Sequence, residues 1–105
     1  MTASMIDVNE KVRRELVRWQ LLRCLHVTAP QGMNAQVMRP IIAATYADVT
    51  DAEIQRQLDY LQERELITVT ADPLGAVVAK LGRHGFDVVE YTVACDPGIA
   101  RPPKV

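Results

Sequence analysis

Apolar residues recur at helical spacing through the first quarter of the chain. Val8, Val12, Leu16 and Trp19 follow one another at intervals of three or four, and Leu21, Leu22, Cys24 and Leu25 widen the stripe beyond one face. The pattern predicts a long helix from Val8 to about Val27, buried on more than one side, with residues 1–7 as an N-terminal tail. Lys11, Arg14 and Arg18, with Glu15 among them, fall on its opposite face. Ala29-Pro30-Gln31-Gly32 supplies the turn chemistry that ends it. A second helical segment carries Val37, Met38, Ile41, Ile42, Ala43 and Ala44 behind Asn34, a residue type that accepts from the free amides of a first helical turn. Pro40 lies inside that segment and removes a helical hydrogen bond, so a kink or a late start is expected there.

The best-marked element opens at Thr50-Asp51-Ala52-Glu53, a capping box. The Thr50 hydroxyl accepts from the Glu53 amide, and the Glu53 carboxylate is expected to reach back to Thr50. Ile54, Leu58 and Leu61 form an i, i+4, i+7 stripe, so this helix buries one face and runs to about Glu65. Leu66-Ile67-Thr68-Val69-Thr70-Ala71 then alternates and is rich in β-branched residues, as a strand requires. Asp72-Pro73-Leu74-Gly75 makes a turn, and residues 76–81 read as the returning strand of a β-hairpin. Beyond Gly82, the residues Phe86, Val89 and Val93 suit a short last helix, although Val88, Val89, Tyr91, Thr92 and Val93 would also suit a strand. Asp96-Pro97-Gly98 ends the pattern and leaves residues 96–105 as an extended, proline-containing tail. Ile99 and Val105 are its apolar anchors, and it is read as disordered or as an arm laid across a neighbouring subunit.

Composition changes this picture little, but charge does. The chain has 105 residues, 49% of them apolar, and a net charge of −1. That length fits one domain able to bury a core without staples. Residues 1–33 carry five cations against three anions, whereas residues 47–65 carry two against six. The molecule is therefore expected to be dipolar, and it lacks the basic excess that would announce a nucleic-acid partner by itself. Its two cysteines, Cys24 and Cys95, make no disulfide framework and fit a reducing compartment. With neither a membrane span nor a secretion signal in view, a cytoplasmic protein is expected.

Helix, helix, capped helix and hairpin is the order of a winged helix-turn-helix domain. The residues Thr50, Ile54, Leu58, Leu61, Leu66 and Ile67 fall on that family's spacing, with Glu65 where a glycine is usual. Leu81-Gly82-Arg83-His84-Gly85 is similar to the family's Leu-Thr-x-x-Gly entry into a last helix, with glycine in place of threonine. The resemblance covers residues 8–95 and implies an α+β, mostly helical fold of three helices, a β-hairpin wing and a short C-terminal helix. The ending Asp96-Pro97-Gly98-Ile99-Ala100-Arg101-Pro102 resembles that of short winged-helix-like proteins of Mu-like bacteriophages and prophages, whose role is unassigned.

The resemblance implies a bacterial or phage transcriptional regulator that binds double-stranded DNA as a homodimer. Its third helix would enter the major groove, with Gln55, Arg56 and Gln57 as base readers, since Arg suits guanine and Gln suits adenine. Arg39, Lys80 and Arg83 are the phosphate contacts, and Val12, Leu16 and Trp19 the dimer interface, Trp19 being read first as a core residue. The carboxylates of the third helix argue the other way, because each one that faces phosphate is repelled. The alternative is a winged-helix protein-interaction module, a phage assembly or packaging accessory, that docks a basic partner through Asp59 and Glu63 and binds no DNA. Chemistry has less to stand on. Cys24 and His26 are two apart and would point about 200° from each other on a helix, so Cys24, His26, His84 and Cys95 make a poor zinc set. No Gly-rich phosphate loop is present, neither cysteine has a base beside it in the pattern, and no cofactor is called for. An enzyme is not expected.

Overall fold

The computed structural model describes the backbone of residues 2–104 and the side chains of residues 8–104. Val105, one of the two expected tail anchors, lies outside the described residues. Four helices and a small sheet follow one another as α1 (Thr2–Val27), β1 (Met33–Asn34), α2 (Ala35–Ala43), α3 (Asp51–Glu63), β2 (Ile67–Ala71), β3 (Val77–Leu81) and α4 (Arg83–Val89). The sheet is antiparallel with strand order β1-β3-β2. This order and topology are compatible with a winged-helix-like fold.

Helix α1 begins at Thr2, well ahead of the expected start at Val8, so most of residues 1–7 continues the helix rather than forming a tail. Its buried face comes from Val17, Trp19, Leu21, Leu22 and Leu25. These meet Met38 and Ile42 of α2, Ile54, Leu58 and Leu61 of α3, Leu66, Ile67, Ala79 and Leu81 around the hairpin, and Val88 of α4 in one core. Each Val, Leu, Ile or Met side chain among them contributes about 1.5–3 kcal/mol by leaving water.

Helix α2 starts directly behind its cap, where Asn34 Oδ1 accepts from the Gln36 amide at 2.8 Å, and it runs through Pro40 without the late start expected there. Gln36 and Pro40, the residues between which the helical hydrogen bond is lost, are both exposed. The unexpected strand is β1. Two residues suffice for it because Met33 and Asn34 add onto the free edge of β3, opposite Ala79 and Val78. Gly32, at φ +83°, turns the chain into this edge where an added Cβ would strike the Ala79 carbonyl oxygen.

Helix α3 ends in a left-handed residue. Glu65 has φ +62°, its amide donates to the Gln62 carbonyl at 2.9 Å, and the Leu66 amide donates to Leu61 at 3.0 Å. Those two bonds are the 5→2 and 6→1 pair of a Schellman cap, for which glycine is the usual residue. The hairpin turn is closed by Asp72, whose carboxylate accepts from Leu74 and Ala76 at 2.9 and 2.8 Å. The region beyond Gly82 is helix rather than strand, but it stops at Val89 and leaves Val93 outside.

The described part of the C-terminal segment packs on the chain's own core. Ile99 is buried in the chain's own core, the Ala100 amide donates to the Glu15 carbonyl at 3.2 Å, and Tyr91 donates its hydroxyl to Pro102 at 2.7 Å. Arg101 donates to the carbonyls of Val88 and Val93, both at 2.9 Å, and lies over the Tyr91 ring. Irregular backbone is held here by side-chain donors instead of by a sheet or helix ladder.

Candidate functional site

The third helix carries the expected base readers and the expected docking carboxylates. Thr50 caps it as expected, accepting from the Glu53 amide at 3.1 Å. The reciprocal half of the capping box is replaced. Both Glu53 oxygens are taken by Arg13 of α1, at 2.8 Å each, and a further Arg13 nitrogen donates to Asp48 at 2.9 Å. A guanidinium presents two parallel donors in the geometry of a carboxylate, so it outcompetes a single backbone amide. The bond to Glu53 holds the Arg13 guanidinium well above its usual range. The Asp48 contact is at an exposed carboxylate and adds little.

One helical turn further along α1, Arg18 does not lie on the outer face with Lys11 and Arg14. It turns toward α3, where its Nε donates to Gln57 Oε1 at 2.7 Å, one terminal nitrogen donates to the Gly98 carbonyl at 2.9 Å, and its guanidinium carbon sits 3.5 Å from the Tyr60 ring centre. Burial lowers its pKa, and the nearby Tyr60 opposes that shift.

These contacts correct one of the three expected base readers. Gln57 is 7% exposed and belongs to the inner face of α3, because its position three after Ile54 and four before Leu61 is itself a stripe position. Gln55 is only partly exposed and donates to Asp59 at 2.8 Å along the helix. Arg56 is exposed and, among the described residues, makes no ion pair. The expected phosphate contacts are not brought together. Arg39 is engaged with Asp51 at 3.0 Å. Lys80 lies opposite Thr68 at the base of the hairpin and Arg83 opens α4, so both sit at the far end from the Asp72–Gly75 turn. Asp59 and Glu63 are exposed on α3 as expected.

Nor do the expected dimer residues share one free face. Trp19 is 7% exposed, its ring 6.4 Å from that of Tyr91, which fits its reading as core and removes it from a seam. Leu16 is half-buried and Val12 is 51% exposed. Cys24 and Cys95 are free, and burial pushes both thiols up. Among the described residues no three histidine, cysteine or acidic side chains gather as metal ligands, and no helix is long and apolar enough to cross a membrane.

An open groove of about 730 Å³ runs between α1 and α3, with Arg14, Arg18, Arg56, Gln57, Tyr60 and Glu63 among its walls. A second groove of about 430 Å³ continues it past Arg13, Glu53 and Asp48. Arg13 and Arg18 are the residues that sequence reasoning missed. For Arg18 the signal was a polar residue, Gln57, set inside an apolar stripe, which requires a partner from a facing helix. No family model, no curated protein and no solved structure matches the chain.

Proposed function

We propose that the chain is a winged helix-turn-helix module that docks a basic protein partner through the exposed face of α3, and that it performs no catalysis. The observation that carries this reading is the composition of that face. Ala52, Arg56, Asp59 and Glu63 occupy the side of α3 opposite Ile54, Leu58 and Leu61, so carboxylates outnumber cations there two to one. Arg39 is paired with Asp51 and Arg13 with Glu53 and Asp48, while Arg56 on the face itself and Arg14 across the groove make no ion pair among the described residues. Affinity for duplex DNA comes largely from cations that displace condensed counterions, and a carboxylate facing phosphate works against it. The same field favours a Lys/Arg-rich surface and speeds its approach.

A labelled Lys/Arg-rich helical peptide tests this directly. The wild-type chain is expected to bind it with an affinity that falls as salt rises, and the double variant Asp59→Lys/Glu63→Lys is expected to lose at least tenfold, about 1.4 kcal/mol. Equal binding by the two proteins overturns the assignment of the surface. A second reading, DNA binding through α3, is favoured by the exposed Arg56, and duplex DNA in the same titration separates the two.

A further inference from the structure

The C-terminal segment is held in the manner of a bound peptide. Alternate residues are fixed by their backbone: the Gly98 carbonyl accepts from Arg18 at 2.9 Å, the Ala100 amide donates to the Glu15 carbonyl at 3.2 Å, and the Pro102 carbonyl accepts from the Tyr91 hydroxyl at 2.7 Å. The residues between them are fixed by their side chains. Ile99 is buried, and Arg101 donates to the Val88 carbonyl at 2.9 Å while its guanidinium lies over the Tyr91 ring. Main-chain bonds combined with sites for the intervening side chains are how folded domains hold peptide ligands. We infer that this site, walled by α1, α3 and the end of α4, also takes residues 96–104 of a second copy, so that two chains pair by exchanging their C-terminal segments. The inference does not rest on the protein-docking reading of α3.

The walls are held by contacts that do not involve the segment. Arg18 is fixed by Gln57 at 2.7 Å and lies 3.5 Å from the Tyr60 ring centre, with Arg64 at 5.1 Å from the same ring. Tyr91 rests against Trp19, ring centres 6.4 Å apart. These contacts remain when the segment leaves. Between the walls and the segment, Val93 and Ala94 are exposed, lie outside helix and strand, and donate no backbone hydrogen bond from their amides among the described residues. Rotation at these two residues redirects the segment without breaking a helix or the sheet.

The site also specifies its occupant. A Cβ on Gly98 would strike the Tyr60 hydroxyl and lie 3.1 Å from an Arg18 terminal nitrogen, so an incoming segment must bring glycine there. It must bring an apolar side chain one residue later for the Ile99 position, and arginine two residues after that for the Val88 carbonyl. A second copy supplies all three in register. Reciprocal exchange makes the same contacts between two chains as within one, which is why it is a low-cost route to a pair. Concentration then sets the balance. A segment on a short flexible tether competes as though present at on the order of 1 mM, so pairing emerges as the protein approaches that range.

The test combines two measurements on the full chain. Fluorescence anisotropy follows a labelled peptide of residues 94–105 added to the wild type and to Gly98→Ala, a variant that spoils the chain's own segment and leaves the walls unaltered. Gly98→Ala should bind the peptide at least tenfold more tightly than the wild type, whose own segment competes, and the same peptide carrying Gly98→Ala should bind neither. Sedimentation equilibrium should show wild-type dimers near ~1 mM and a monomeric Gly98→Ala. Arg101→Met, which keeps the glycine and removes the donor to Val88, should behave like Gly98→Ala in both assays. Absence of peptide binding by both variants overturns the site. A wild type that stays monomeric, or equal self-association by the wild type and Gly98→Ala, overturns the second copy as its occupant.

Discussion

Replacing Arg18 by methionine should destabilise the protein by about 3 kcal/mol, because one guanidinium ties α1, α3 and the C-terminal segment together. The substitution keeps the aliphatic stem and removes two charge-assisted hydrogen bonds, to Gln57 Oε1 at 2.7 Å and to the Gly98 carbonyl at 2.9 Å. The Tyr60 ring also loses the cation stacked at 3.5 Å, a contact of roughly 1 kcal/mol at a half-buried site. The largest contribution is the orphaned Gln57 oxygen, which stays buried with no partner at a cost of about 1–3 kcal/mol. Relief of the guanidinium's own desolvation, the cause of its lowered pKa, offsets part of the two lost bonds. About 3 kcal/mol corresponds to a fall in Tm on the order of 12 °C for a domain of this size. Urea and thermal unfolding of Arg18→Met, Gln57→Leu and the double variant form a cycle. The double variant should be more stable than the sum of the singles implies, by about 1 kcal/mol or more, since removing the amide removes the orphan. A loss under about 1 kcal/mol for Arg18→Met, or strict additivity in the cycle, refutes the reasoning.

Three further outcomes follow from particular positions. Gly85→Ala should destabilise by about 1–3 kcal/mol in urea unfolding, because its Cβ meets the Leu66 carbonyl oxygen and lies 2.8 Å from Leu81 Cδ1; an unchanged midpoint would show that α4 can shift freely. Glu65→Gly should stabilise by about 0.5–1 kcal/mol in the same assay, since the left-handed backbone at φ +62° strains any residue with a Cβ; a loss of stability contradicts the Schellman assignment. Cys24 and Cys95 should alkylate at pH 8 more slowly than free cysteine, because burial raises both pKa values and keeps the thiols protonated; a rate equal to that of free thiol at either position contradicts its burial.

Most of the secondary structure was legible because local chemistry and global packing agree along this chain. The Thr50 cap, the Ile54/Leu58/Leu61 stripe and the Asp72–Gly75 turn each require what the fold also requires. The misses share one physical cause, which is that a partner from elsewhere in the chain decides the outcome. β1 is a strand only because β3 offers it an edge. The capping-box carboxylate of Glu53 is claimed by Arg13, forty residues away. The tail holds its place through Arg18, Tyr91 and Arg101, and nothing in a Pro-rich heptapeptide announces such donors.

The candidate site was legible in outline and misread in detail for the same reason. The stripe that predicted the buried face of α3 omitted Gln57 because it is polar, although its spacing belongs there. Glu65 is the opposite case. It stands where the resemblance leads one to expect glycine, and the backbone adopts the glycine-like conformation at that position. The acidic character of residues 47–65 was plain from the start. What the fold adds is the engagement of Arg13, Arg18 and Arg39 with partners inside the chain, so that Arg56 is the cation beside Asp59 and Glu63 on the outer side of α3.

The central claim is that this side of α3 meets a protein rather than a duplex. Fluorescence anisotropy of labelled random-sequence duplex DNA at low salt, titrated with the wild-type chain and with Asp59→Lys/Glu63→Lys, tests it most directly. The account predicts no binding by the wild type at concentrations up to ~10 μM, where ordinary non-specific binders already engage, and salt-sensitive binding once the two charges are reversed. Wild-type binding in that range, falling steeply as salt rises, would contradict it.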